Sequence, residues 1–402
     1  MARRRTPDPT IGERIRVRRL LVRLSIRQAA DRAGISHTTW SRIEQGTMSA
    51  DNRFILAAIA EALRCAVTDL TGLPVAPVDA VSAELHAGVH LTLRALLEAD
   101  LDYPATVAAP PTPVLAAEAE LVRALRVRCD YLGATRRLPD LLRGLHAAAL
   151  APATSTEALR LLVLATEDAT FVTRFAGHPA VAAPAAERCW QAASTLGDPV
   201  LLGLAGWARA GAMAGFDLNE RTYAIASRAA DSLEPALALP AAAEVLGQLH
   251  LTSALALRAL GRVGEADERV RAAEELAART GETRTLQLMF GPTNIRFWRI
   301  AMECDGGDPG RAVEIANGTD SQRLPMPGRL ACFYLDTGRA LARISGKDRA
   351  AVRALTTAER IAPQRVRNSP FAVEAARALL ERARRNAAWP ELRGFCERVG
   401  IS

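Results

Sequence analysis

The chain has 402 residues, 49% hydrophobic and 24% charged, a balance typical of folded rather than disordered proteins. At about 150 residues per domain, this length predicts two or three domains. The sequence shows neither a cleavable secretory leader nor an apolar stretch approaching the roughly 18–20 residues of a membrane span, so we expect a cytoplasmic protein. Six widely spaced cysteines without a CxxC pair argue against a zinc site or a disulfide framework. Few aromatic residues and abundant Ala, Leu and Arg favour an all-α fold.

The positive charge of the chain is concentrated at its start. Residues 1–73 hold 13 arginines and 7 acidic residues, which is a net charge of +6, whereas the whole chain carries +7. Such asymmetry predicts a module that binds a polyanion, joined to a nearly neutral body.

The first predicted elements are a disordered basic arm and a helix. Residues 1–10 carry three arginines and two prolines without apolar periodicity. From Ile11 the apolar residues recur at helical spacing, and Ile11, Ile15, Leu21 and Leu24 are predicted to lie on one inward face of a helix.

Two short helices follow, separated by a tight turn. Ser25 and Gln28 form a predicted capping box at the start of a helix over 26–33. Gly34 ends this helix because the turn needs a residue that tolerates positive φ, and the next helix is predicted over 37–45. The second of these helices presents a polar outward face, so the pair is predicted to be a helix-turn-helix that reads a DNA major groove.

A fourth helix over 52–63 and a last turn at 67–70 complete the predicted headpiece. The polar row on the third helix is predicted to contact bases or phosphates, although a merely solvated helix face is the alternative. Arg42 is suited to bidentate contact with guanine, and Thr38 or Ser41 to a phosphate or a thymine methyl. The predicted DNA contacts are Ser36, His37, Thr38, Thr39, Ser41 and Arg42 on the third helix, Arg27 and Gln28 on the second, and the backbone anchors Arg16, Arg19 and Arg23.

Residues 11–72 resemble the XRE (Cro-repressor-type) helix-turn-helix family. The matching positions are Ala30, Gly34, Ile35, Ser36, Ser41, Arg42, Ile43, Glu44 and Gly46. The sequence departs from the family at Ile26, where a glutamine is frequent, at Trp40, where an aliphatic residue is usual, and at 47–49. The resemblance implies a five-helix DNA-binding domain, placed here at 11–73.

The remainder of the chain is predicted to be a repeat of helical hairpins. A linker is expected at 74–83, with the solenoid at 84–402. The segments 260–277 and 345–362 share a glycine, two alanines and an aliphatic residue in register. Weaker copies begin at Gly133, Gly177, Gly215 and Gly307, and this degenerate period predicts an α-solenoid.

The repeat resembles tetratricopeptide hairpins, and nearly the whole chain is similar to bacterial regulators that join an XRE head to a tetratricopeptide-like sensor. That resemblance implies a peptide or small molecule in the concave face. An aromatic-rich stretch at 290–298 is a candidate wall of this site, and a buried solenoid core is the alternative. The candidate ligand contacts are Trp207, Arg209, Phe290, Asn294, Phe297, Trp298 and Tyr334.

No enzyme motif stands out, and we expect neither catalysis, a cofactor nor a metal. His86 and His90 lie four residues apart, on one face of a predicted helix, but the sequence shows no recognisable third ligand for a metal ion. We expect a homodimeric, sequence-specific transcriptional regulator on an inverted-repeat operator, because one small head buries too little DNA surface alone. The alternative is a ligand-independent scaffold or activator whose solenoid binds a protein such as RNA polymerase.

Overall fold

A computed structural model describes residues 9–74, 79–103, 108–151, 154–383 and 389–401. Within these ranges all regular secondary structure is helical, which confirms the predicted all-α class. No helix in the described part of the chain is long and apolar enough to cross a bilayer. The predicted basic arm lies outside the described residues up to position 8, so its structure stays a prediction.

The head, defined as residues 9–74, contains five helices around one small apolar core. They are α1 (Ile11–Leu21), α2 (Ile26–Arg32), α3 (His37–Glu44), α4 (Arg53–Ala62) and α5 (Val67–Thr71). Trp40, Ile15 and Ile43 are among the fully buried side chains of this core. Each predicted helix is present, and the bounds predicted for the second to fifth agree to within one residue, whereas α1 ends at Leu21, before Leu24.

The body, defined as the described residues from 79 onward, contains the longer helices. They are α6 (Ala80–Glu98), α7 (Thr112–Val127), α8 (Tyr131–Thr135), α9 (Leu138–Ala149), α10 (Ser155–Phe175), α11 (Pro179–Leu196), α12 (Pro199–Ala214), α13 (Asn219–Leu233), α14 (Ala242–Ala259), α15 (Val263–Thr280), α16 (Pro292–Gly306), α17 (Pro309–Asn317), α18 (Pro327–Ala342), α19 (Asp348–Ile361), α20 (Pro363–Arg367), α21 (Pro370–Ala383) and α22 (Pro390–Arg398). Short 3₁₀ turns lie at Glu234–Ala236, Thr285–Gln287 and Ser321–Arg323.

The predicted repeat is confirmed as a series of antiparallel hairpins. Five of the six marker glycines lie in the turn that joins the two helices of one hairpin: Gly177 (α10–α11), Gly215 (α12–α13), Gly261 (α14–α15), Gly307 (α16–α17) and Gly346 (α18–α19). Gly133 instead lies inside α8. The shared alanines are small because facing helices approach closely there; Ala266, Ala273, Ala351 and Ala358 are all buried.

The structure differs from the sequence prediction in the exposure of Leu21 and in the extent of the linker. Leu21 is 70% exposed, because it lies six residues after Ile15 and so points to the other side of α1, where Val17 and Leu20 are also exposed. The predicted linker at 74–83 is shorter than expected. Asp79 and Ser82 form a capping box that starts α6 at Ala80, and residues 75–78 lie outside the described chain.

Candidate nucleic-acid interface and ligand cavity

Local capping positions α2 and α3 in the head. The Ser25 hydroxyl accepts from the backbone N–H of Gln28, whose side-chain oxygen accepts in return from the N–H of Ser25. Gly34 then adopts a φ of 64°, and the Ser36 hydroxyl accepts from the N–H of Thr39 to start α3. The predicted turn chemistry is therefore present, and it presents the first turn of α3 to solvent.

The predicted DNA contacts are exposed or half-buried on the head, with one exception. Arg42, His37 and Thr38 on α3 are exposed to solvent, as residues of a groove-reading surface must be. The exposed members of the predicted set are Arg16, Arg23, Arg27, Gln28, Ser36, His37, Thr38 and Arg42, while Thr39 and Ser41 are half-buried.

Arg19 is the exception, because it is part of the core of the head. Its guanidinium makes two bonds to the carboxylate of Glu44, at 2.6 and 2.8 Å, and a third to the carbonyl of Leu24 at 2.9 Å. The hydrogen bonds with Glu44 raise the pKa of Arg19. Only 8% of Arg19 is exposed, so its predicted role as a phosphate anchor is wrong and it instead ties α1 to α3.

The same carboxylate explains the unusual tryptophan in α3. The indole N–H of Trp40 donates to Glu44 at 2.6 Å, so a buried ring with a polar edge is accommodated without an unpaired donor. Sequence spacing alone could have suggested the Trp40–Glu44 pair, which is one helical turn apart. The reach of Arg19 from α1 depends on how the helices cross, which sequence does not show.

Gly12 is where α1 passes closest to α3. A Cβ at this position would lie 2.2 Å from the backbone carbonyl oxygen of Ile43, which cannot move aside without displacing α3. We expect Gly12→Ala to destabilise the head by about 1–3 kcal/mol and to weaken DNA binding. Thermal unfolding and duplex titration check this. The matched control is Gly264→Ala, where a Cβ meets no atom within 4 Å; equal loss in both variants would contradict the packing explanation.

A cavity of about 330 Å³ lies at the junction of the head and the body. From the candidate ligand residues, Trp207, Phe297 and Trp298 line it. The head contributes Val67, Thr68, Thr71 and Leu73 from α5 and the residues that follow, together with Arg53 from α4. A molecule in this cavity would therefore touch both parts of the chain.

The other four candidate ligand residues do not line the cavity. Phe290 is buried beside Gly247 of α14, and Asn294 is fully buried with no hydrogen-bond partner for its side chain among the described residues. Arg209 bonds to Glu187 at 2.8 Å. Tyr334 packs edge-on to Phe333.

Sequence reasoning missed the charged part of the cavity wall. Five arginines and two aspartates line it within the described chain: Arg53, Arg126, Arg174, Arg329, Arg365, Asp217 and Asp336. They come from five helices, α4, α7, α10, α18 and α20, and from the turn after α12, so no local motif joins all of them. Their convergence follows from the way the hairpins stack.

An ionic network fastens the start of α4 to the body. Arg339 of α18 is fully buried and pairs with Asp305 at 2.6 Å and with Asp336 at 2.8 Å. It also donates to the backbone carbonyl of Asp51, and Arg53 reaches Asp336 at 3.0 Å. The head is thus held by paired charges rather than by apolar contact alone.

The network keeps the carboxylate of Asp305 ionised despite its burial. Burial acts to raise the pKa of Asp305, but the neighbouring guanidinium groups of Arg339 and Arg53 hold that pKa below its ordinary value. The ring of Phe371 lies 5.2 Å from the Arg339 guanidinium and 5.1 Å from that of Arg53, which adds a cation–π contact. Arg53 and Asp336 belong both to this network and to the cavity wall.

Comparison with known proteins places the head in a family. Residues 10–71 match the family model described as a helix-turn-helix domain. This segment is a helix-turn-helix domain. In it α2 and α3 are the two helices on either side of the turn, so the predicted helix-turn-helix class is confirmed for this segment.

Comparisons of the whole chain find less. A search of curated proteins finds no match. Among solved structures, the chain is similar to PlcR of Bacillus thuringiensis in complex with the peptide PapR7 and DNA, at 13% identity and a TM-score of 0.27. The alignment covers 67% of this chain and 95% of that chain, and a score this low does not establish a common fold.

Proposed function

We propose that this protein is a sequence-specific DNA-binding transcriptional regulator whose DNA affinity responds to a ligand in the head–body cavity. The observation that supports DNA binding best is the exposed polar row of α3 within the helix-turn-helix domain. Arg42 is the exposed arginine of that row, and a guanidinium there is suited to the O6 and N7 of a guanine.

The regulator acts as a homodimer in this proposal. A single head of this size buries about 600–1,000 Å² on DNA, and specific affinity requires the larger area that two heads provide. Two copies related by a two-fold axis would read an inverted repeat whose half-sites are about one helical turn apart.

Ligand control follows from the position of the cavity. Because α5 and the start of α4 form part of its wall, an occupied cavity and an empty one favour different positions of the head. A ligand that binds one arrangement better shifts the population toward it, and DNA affinity shifts by the same coupling free energy. The scaffold alternative predicts no change in DNA affinity with any ligand.

Arg42→Ala tests the assignment of the recognition helix. We expect a loss of about 1–3 kcal/mol on an operator recovered by selection from random duplexes, because one bidentate base contact is removed. Fluorescence anisotropy with the operator and with a shuffled duplex measures it. Arg323→Ala, an exposed arginine in the body, is the matched control. An equal loss on both duplexes would show that Arg42 reads no base.

A further inference from the structure

The charges in the cavity wall point to the chemical class of its ligand. We propose that the cavity binds a small organic acid, with its anionic group on the arginine cluster Arg174, Arg329 and Arg365 and its apolar part between the aromatic side chains. This inference rests on the proposed function in that it names the effector of the same regulator.

The arginine cluster lacks compensating carboxylates. Among the described residues, none of its three guanidinium groups has a carboxylate within ion-pair distance, whereas the other two wall arginines do. Arg53 pairs with Asp336, and Arg126 pairs with Asp168. Guanidinium groups stay charged in proteins, so the wall carries uncompensated positive charge.

Burial disfavours this charge at two of the three arginines, Arg174 and Arg329, whereas the neighbouring Cys332 and Tyr131 raise the pKa of Arg365 despite its burial. Burial, together with the like charges of Arg365 and Arg53, lowers the pKa of Arg174 to about 10. Burial, then Arg365, also lowers the pKa of Arg329. The remaining wall carboxyl, Asp217, is half-buried, and burial raises its pKa to about 6, so it is still largely ionised at pH 7.5. It is one carboxylate, outside ion-pair distance, for three guanidinium groups, so the wall keeps a net positive charge.

Several polar groups in the wall also lack a protein partner. The hydroxyls of Thr222 and Thr252, which are 2% and 5% exposed as residues, have no hydrogen-bond partner among the described residues. The same holds for the indole N–H of Trp298 and for Nε of Arg329. Buried polar groups in proteins are nearly always paired, and these donors would be paired by the oxygen atoms of an acid.

The rest of the wall suits a compact apolar group. Phe171 and Trp207 pack with ring centroids 4.4 Å apart, and the Arg365 guanidinium lies 3.5 Å from the centroid of Phe175. Arg329 lies over Trp298 at 5.4 Å, so the charged heads and the aromatic faces are adjacent. A volume of about 330 Å³ is at the low end for small-molecule sites, which favours one small molecule over an extended peptide.

Matched acid and amide probes test the proposal on the full-length protein. Octanoic acid and 1-naphthaleneacetic acid, each against its primary amide, differ in charge with nearly the same shape. In calorimetric titrations at pH 7.5 we expect each acid to bind about tenfold or more tightly than its amide. Equal binding of acid and amide, or binding of neither acid, would overturn the proposal.

Two variants locate the anionic group. In Arg329→Gln and Arg174→Gln we expect the acid-to-amide ratio to fall below about threefold, whereas the exposed control Arg323→Gln keeps it. A ratio that survives both cluster variants would place the acid elsewhere and overturn the assignment.

Thermal stability gives a second readout that a merely structural arginine would not share. Because Arg174 is an uncompensated charge, we expect Arg174→Gln to raise the Tm of the ligand-free protein while it weakens acid binding. A lowered Tm would contradict the absence of a protein partner for Arg174.

The two levels of the proposal fail in different ways. If the acid binds but operator affinity is unchanged at saturation, ligand control of DNA binding is wrong and the acid site stands. If another molecule changes operator affinity while neither acid binds, the acid site is wrong and ligand control stands.

Discussion

Replacing Arg339 with methionine should destabilise the protein by about 3–5 kcal/mol, because three buried carboxylates lose their shared cation. Asp305, Asp336 and Asp51 each pair with this guanidinium through their carboxylates, and the backbone carbonyl of Asp51 also accepts from it. The remaining partners, Arg53 and Arg343, lie at the rim of the network and are partly exposed. Denaturant unfolding followed by circular dichroism measures the loss.

A second substitution separates lost packing from uncompensated charge. We expect Arg339→Met with Asp305→Asn to be less unstable than the sum of the two single variants, since the added change removes one of the stranded charges. The exposed control Arg323→Met should change stability by less than about 0.5 kcal/mol. A loss of under about 1 kcal/mol in Arg339→Met would show that the network does not hold the head to the body.

Replacing Arg19 with alanine should unfold the helix-turn-helix domain rather than remove a DNA contact. The change leaves the Glu44 carboxylate buried with only the Trp40 indole as a partner, and breaking such a pair costs about 3–5 kcal/mol. DNA binding should then be lost on every sequence. Denaturant unfolding of the full-length protein should show an early transition that belongs to the head.

Arg16→Ala is the matched comparison, because Arg16 lies on the same helix and is exposed. We expect it to leave stability unchanged within about 0.5 kcal/mol. It should weaken binding to operator and shuffled duplex alike and reduce the salt dependence by about one counterion. The structural assignment of Arg19 is wrong if Arg19→Ala unfolds at the same denaturant concentration as the wild type and weakens binding to operator and shuffled duplex as Arg16→Ala does.

The local features of the head were predictable because they depend on neighbours in sequence. The capping box of Ser25 and Gln28, the turn at Gly34 and the cap at Ser36 each involve residues within a few positions of one another. The hairpin repeat was predictable for a related reason, since glycine turns and small alanines recur at a fixed distance. The burial of Arg19 was not, because its partner lies 25 positions away on a different helix.

The residues of the cavity also include some that the sequence could indicate and others that it could not. Aromatic residues near 290–298 were recognisable as unusual, and Phe297 and Trp298 do line the cavity. Which face of α16 opens to it depends on the stacking of hairpins, so Asn294 of the same stretch is buried elsewhere. The arginine cluster joins α10, α18 and α20, and no spacing in the sequence brings these helices together.

Selection of bound duplexes from a random library by the full-length protein tests the central claim most directly. We expect enrichment of an inverted repeat with half-sites about one helical turn apart, and loss of that enrichment in Arg42→Ala. Recovery of sequences no different from the starting library, with the wild-type protein folded, would contradict it.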